Sequence, residues 1–267
     1  MSVMLLNCKN CEQTLAGNFC AVCGQKKYKR IDRHYLWEEF QYTVLHTNKG
    51  LLYSIKSVLR NPGKTAKEYI DGHRVNHYKP ILLVFVLSGI ATFLSFKVLN
   101  LKEVMAVYFA QQNVDAGLVG TILSFMSSYS SMLMLLYVPL FALTTKIAFR
   151  KWGHNYYEHV VMNAYILSFY TLVSIIFAYP IMFIFRHSPE DFYTVTQISI
   201  LAVPVILVFF FKEVYQGKPL KSIVLRVIGV MCLALLGYIL FIIVAGIIGF
   251  AIAMLKGPEA LEMLKTK

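Results

Sequence analysis

Charge is missing from most of the second two-thirds of this sequence. Residues 80–96, 116–145, 159–185, 192–211 and 227–255 contain no Asp, Glu, Lys or Arg. Ion-coupled carriers and proton pumps usually keep an ionisable group near the bilayer midplane, where it is costly and retained for function. Its absence argues against a proton-coupled carrier. No zincin motif or aspartate pair stands in these runs, which argues against an intramembrane hydrolase. The phosphate-cradling glycine loop, the dinucleotide fingerprint and Gly-x-Ser-x-Gly are also missing. "NPGKT" at 61–65 contains Gly-Lys-Thr, but it lacks the earlier glycine of a phosphate loop and a proline precedes its own. It reads as a helix stop. An apolar leader is missing too: "MSVMLL" is short, has no basic start and runs at once into Cys8, so residues 1–79 are expected to remain as an extramembranous segment.

Apolar residues fill the space that charge leaves. Of 267 residues 57% are hydrophobic and 15% charged, with a mean hydropathy of +0.58. A soluble domain usually carries about 25% charged residues. A helix needs roughly 20 apolar residues to cross the hydrocarbon core. Four runs meet that length, and the first does so by extending to Leu101 if Lys97 snorkels to the interface. The expected fold class is therefore an all-α membrane protein. About five transmembrane helices (80–101, 119–146, 159–185, 192–211 and 226–255) make an 80–255 bundle, preceded by a small cytoplasmic zinc ribbon and short amphipathic helices. Residues 256–267 form a tail. Thirteen Lys and Arg precede the first span, three lie in 146–158 and four in 212–226, against two in 97–120, one in 186–191 and three after Met254. The positive-inside rule then puts the N-terminus in the cytoplasm and the C-terminus outside, in a multi-pass protein of the cytoplasmic (inner) membrane. The net charge of +12 fits contact with anionic lipid headgroups, and no nucleic acid is expected.

Residues 1–30 carry the metal-binding pattern. Cys8, Cys11, Cys20 and Cys23 form two CxxC turns, each directing two sulfurs at one point, and together they complete a tetrahedral four-thiolate shell. A reducing cytosol keeps them as thiolates. Gly24 suits the knuckle turn, and Lys26, Lys27, Lys29 and Arg30 offset the dianionic centre and offer a membrane-surface or partner contact. A redox pair of CxxC motifs and an iron–sulfur centre are the alternatives to structural Zn2+. A closed shell folds a small segment and leaves no coordination position for catalysis. Cys232 falls in the last span, apart from this set.

Residues 31–79 alternate helical patterns with breaks. Tyr35, Leu36, Phe40, Val44 and Leu45 follow Asp32 at helical spacing, Leu51–Arg60 forms a second basic amphipathic helix, and Lys64–Asp71 a third before Gly72. Such helices either lie in the membrane interface or pack the ribbon onto the bundle. The order "CxxC…FCxxCGQK", "NKGLLYSIKSVLRNPGKTAKEYIDGHR", "YKP" and later "YYEHVVMNAYILSF" resembles an uncharacterised Bacteroidetes-type bacterial integral-membrane family with an N-terminal zinc ribbon. Pro62 to Arg74 is the most specific part of the likeness. The resemblance implies architecture and carries no catalytic assignment.

Polar residues in the spans are few. Ser124, Ser127, Ser128 and Ser131 make one stripe, read as a helix–helix seam or as a hydrophilic path. Ala245, Gly249 and Ala253 make a small-residue stripe, and Pro139, Pro180 and Pro204 interrupt three spans. In "RKWGHNYYEHVV", His154 and Glu158 share a face if the helix begins near Gly153, with His159 turned toward Asn163. One reading is a second polar or metal site of His154, Glu158, His159 and Arg74. The other is an interfacial anchor in which Glu158 pairs with Arg150, Lys151 or Arg74. Three functions compete: a non-enzymatic protein whose ribbon docks a cytoplasmic protein or anionic lipid, a permeation or lipid-handling protein, and a lipid-headgroup enzyme using Glu158 and His159.

Overall fold

The computed structural model describes residues 6–8, 11–23, 50–73, 77–114 and 116–256. The chain divides into two units, Met1–Asn48 and Lys49–Lys267. In the first, β1 (Leu6–Asn7) and β2 (Thr14–Leu15) pair antiparallel, Leu6 opposite Leu15.

The second unit is helical. Two short helices, α1 (Gly50–Arg60) and α2 (Pro62–Ile70), lead into α3 (Pro80–Phe93), which continues as a π-turn over Leu94–Val98. Then follow α4 (Leu101–Gln111), α5 (Ala116–Ala148), α6 (Tyr156–Val173), a second π-turn over Ser174–Ala178, α7 (Tyr179–Ile184), α8 (Pro189–Val214) and α9 (Leu220–Lys256). Among the described residues five helical stretches are long and apolar enough to cross a membrane: Pro80–Val98, Val119–Ala148, Tyr156–Ile184, Pro189–Val214 and Leu220–Val244.

Several helix ends differ from the expected ones, for one physical reason. An end placed by charge marks where hydrocarbon stops, whereas a helix runs on until its backbone is capped. The helix α6 starts at Tyr156 instead of 159, because Asn155 and Glu158 form a capping box. The helix α8 starts at Pro189, with Glu190 and Asp191 in its first turn where the helix dipole favours them. In the same way α9 starts at Leu220 instead of 226 and takes in Lys221. At the first span the difference runs the other way: it ends at Val98 instead of Leu101, because Asn100 is left-handed (φ 51°) and restarts the chain as α4. The third short helix begins at Pro62, not Lys64. Asn61 accepts from the Lys64 N–H at 2.9 Å, so the proline that reads as a stop also opens the next helix.

The central element is α6, which packs against α1, α2, α3, α5 and α8. Residues around its whole circumference are buried, among them His159, Met162, Tyr165, Ile166 and Leu172. The helix α2 packs against both α6 and α8. Gly63 permits this, because a Cβ there would fall 2.7 Å from the Glu213 Cβ and closer still to the Phe210 carbonyl oxygen. The helix α1 buries Ser54 and Val58 and exposes Leu52, Tyr53 and Lys56. Both π-turns widen the helix to five-residue bonding. Pro180 accounts for the second: without an N–H it cannot bond the Ile176 carbonyl, and the Tyr179 N–H reaches Ser174 instead.

Candidate functional site

The cysteine centre is built from a very short hairpin. Cys8 follows β1, its N–H donates to the Gln13 carbonyl at 2.8 Å, and its carbonyl accepts from the Glu12 N–H at 2.9 Å. This closes the first knuckle, with Glu12 left-handed at φ 59°. Gly24, where the sequence suggested that strain, lies outside the described residues. So do Lys26, Lys27, Lys29, Arg30 and the Asp32–Leu45 helix. The Cys8 and Cys23 sulfurs are 3.6 Å apart, those of Cys11 and Cys20 3.5 Å, and all four lie within 4.8 Å of one another. A disulfide needs about 2.05 Å. Tetrahedral metal–sulfur bonds of about 2.3 Å place the sulfurs about 3.8 Å apart. The observed spacing fits the metal. The four thiols can therefore bind one metal ion.

Among the described residues no other group brings three or more Cys, His or carboxylate ligands within 4.8 Å. His154, Glu158 and His159 do not converge in that sense, and Arg74 lies outside the described residues. Since α6 begins at Tyr156, His154 sits in the preceding loop and shares no helix face with Glu158. The Glu158 carboxylate accepts from the Asn155 N–H at 2.7 Å, while Asn155 accepts from the Glu158 N–H at 2.9 Å. His154 is held through its carbonyl, which accepts from Lys146 Nζ at 2.5 Å.

The more ordered polar feature is one that the sequence did not reveal, a hydroxyl on the preceding span. Thr145 Oγ1 lies 3.1 Å from the Phe141 and Ala142 carbonyls and accepts from Asn163 Nδ2 at 2.8 Å. Its single proton goes to a carbonyl, so His159 Nδ1, 3.1 Å away, must be the donor to it. This fixes the neutral tautomer and leaves a lone pair on His159 Nε2, which is buried without a protein partner. The Tyr215 hydroxyl and His154 Nδ1 are likewise buried and unpaired. The His154 ring lies 6.4 Å from His159 and 5.2 Å from Tyr215. Desolvation holds the His154 pKa below its ordinary value, with Glu158 and Asp71 pulling it back up. Burial raises Tyr215 well above the usual phenol range.

Around these groups Phe149 stacks on Phe211 at 4.2 Å and on Tyr215 at 5.2 Å. The Arg226 guanidinium lies 4.4 Å over Trp152 and donates to the Ala148 carbonyl. The loop between α5 and α6 is thereby tied to the end of α8 and the start of α9. Nothing in the sequence pairs Trp152 with Arg226. Their contact depends on a chain separation that no local pattern encodes.

The serine stripe splits in two. Ser131 approaches Gly89 of α3, and the direct bond across that seam is Thr92 to Ser130 at 2.6 Å, from a serine outside the stripe. Ser124, Ser127 and Ser128 instead line a cavity of about 320 Å³ with Lys97, Asn100, Lys102 and Glu103. Two further cavities, of about 360 and 290 Å³, flank the second π-turn against α8 and share Tyr170, Ser174, Ala178 and Ser199. Ser95 donates to the Tyr179 hydroxyl at 2.9 Å on the wall of the smaller one.

A family model described as a protein of unknown function (DUF3667) matches residues 48–92, which hold α1, α2 and most of α3. The matched stretch includes Pro62 to Arg74, and the likeness is to a family whose description assigns no activity. No curated protein and no solved structure matches the chain.

Proposed function

We propose that this is a non-enzymatic multi-pass protein of the cytoplasmic membrane whose N-terminal zinc ribbon docks a cytoplasmic protein partner. The observation that carries the reading is the closed four-sulfur shell, with spacing suited to tetrahedral Zn2+ and no coordination position left for a substrate. The five candidate spans carry almost all their Lys and Arg at their ends, and the excess on the N-terminal side supports a cytoplasmic N-terminus and an outer C-terminus. Lys26, Lys27, Lys29 and Arg30 follow the last ligand and would give the docking surface its charge. An enzyme built on Glu158 and His159 is disfavoured, because the carboxylate already caps α6 and the imidazole is fully buried.

The test is crosslinking and affinity capture from native membranes with wild-type protein, Cys20→Ser and chelator-treated wild type. Wild type should carry about one zinc per chain and retain a defined partner. Both are lost in the variant while the spans still insert. Capture that is unchanged by loss of the metal refutes the docking role. A lipid-handling role is the second reading, supported by the two hydroxyl-bearing cavities beside the π-turn. It alone predicts accelerated lipid movement in reconstituted liposomes.

A further inference from the structure

At the end of α3 the chain changes character within one turn. Phe93, 62% exposed, is followed by Lys97 at the end of the π-turn, then by Asn100 in the left-handed break and by Lys102 and Glu103 in the first turn of α4. These four face the serines of α5 across the cavity of about 320 Å³. Lys102 lies over α5, its Cε 3.8 Å from where a Cβ on Gly120 would stand. Among the described residues Lys97, Lys102 and Glu103 make no ion pair. Lys102 and Glu103 are adjacent on one helix, a spacing at which side chains do not pair directly. Three charged side chains of both signs, none in an ion pair, thus share one cavity wall with an amide and three hydroxyls.

The position of this cavity restricts its occupant. It lies where the first candidate span ends, at Val98, and near where the second begins, at Val119. Immediately beyond it, Ile90, Phe93, Phe125 and Met132 are exposed on α3 and α5. An apolar surface running into a polar cavity at a span end is the environment of a lipid at its headgroup.

We propose that this cavity binds one phospholipid whose headgroup carries a primary ammonium. Lys97 and Lys102 hold the phosphodiester. Asn100 and the hydroxyls of Ser124, Ser127 and Ser128 donate to its remaining oxygens, and Glu103 accepts from the ammonium. The acyl chains lie along the exposed faces of α3 and α5. The carboxylate decides the class. It would repel a headgroup whose charge is only negative, and a quaternary ammonium has no N–H to give it.

The test is native mass spectrometry of the full-length protein in detergent, titrated separately with phosphatidylethanolamine, phosphatidylcholine and phosphatidylglycerol. The expected result is one retained phosphatidylethanolamine per chain, bound more tightly than the other two. Because these side chains are exposed, the variants should keep the wild-type melting midpoint. Lys97→Gln/Lys102→Gln should weaken retention of all three lipids about tenfold or more. Glu103→Gln should abolish the preference for phosphatidylethanolamine over phosphatidylcholine and leave phosphatidylcholine binding intact. Equal retention by wild type and the double variant, or a preference that survives Glu103→Gln, overturns the site. Full displacement by millimolar phosphoethanolamine would show a site for the free headgroup and overturn the lipid as its source.

Discussion

Replacing Gly63 by alanine asks whether the seam between α2 and α8 is as close as it looks. Two effects oppose each other. Alanine is favoured over glycine inside a helix by about 1 kcal/mol, and by less in the first turn, where Gly63 lies. Against this, the new Cβ would stand 2.7 Å from the Glu213 Cβ and nearer still to the Phe210 carbonyl oxygen. Carbon atoms in ordinary contact sit about 3.5–4.0 Å apart, so α2 must retreat by about 1 Å. Neither obstacle is the free end of a side chain that could swing away. Retreat would also loosen the buried Pro62, Thr65 and Ala66 in the same short helix. Overpacking of this kind costs about 1–3 kcal/mol, and a clash with backbone belongs at the upper end. Sterics therefore win, with a net loss of about 2 kcal/mol. At about 2–4 °C per kcal/mol for a domain near this size, the melting midpoint should fall by about 4–8 °C. The assay is thermal unfolding in one detergent followed by tryptophan fluorescence, since Trp152 contacts Tyr215 just beyond the end of α8. Gly229→Ala is the control, because nothing lies within 4 Å of a Cβ there and it should be neutral or slightly stabilising. If Gly63→Ala melts at or above wild type, the close approach of α2 to α8 is wrong.

Thr145→Val removes the acceptor that His159 and Asn163 share, leaving at least one buried donor unpaired at about 1–3 kcal/mol; Thr145→Ser should recover most of the loss. A lowered melting midpoint that serine does not restore would point to packing in place of the hydrogen bonds. Burial lowers the His154 pKa in the folded protein, so the unfolded chain binds the proton more readily, and stability falls as pH drops from about 6.5 toward the folded value. Glu158 and Asp71 limit the effect and Lys146 and Lys67 add to it. His154→Gln should flatten the dependence of the unfolding midpoint between about pH 5 and 7; an unchanged slope would assign it to another group.

The spans follow from composition alone, because water and hydrocarbon sort residues by charge locally and no tertiary contact can reverse that for a run of twenty. The cysteine set was equally legible, since two CxxC turns constrain their sulfurs within a few residues. The helix ends were less so. Glu158 could be read as a ligand or an anchor, and only the backbone showed it serving as a cap. Tertiary structure alone decided what surrounds α6. Thr145 looks like any apolar-span hydroxyl until α5 and α6 meet and it receives His159 and Asn163. Lys97, Lys102 and Glu103 read as loop charges until the left-handed Asn100 folds α4 back beside the serines of α5. Such groupings depend on where helices cross, and crossing is set by side-chain packing between residues distant in sequence.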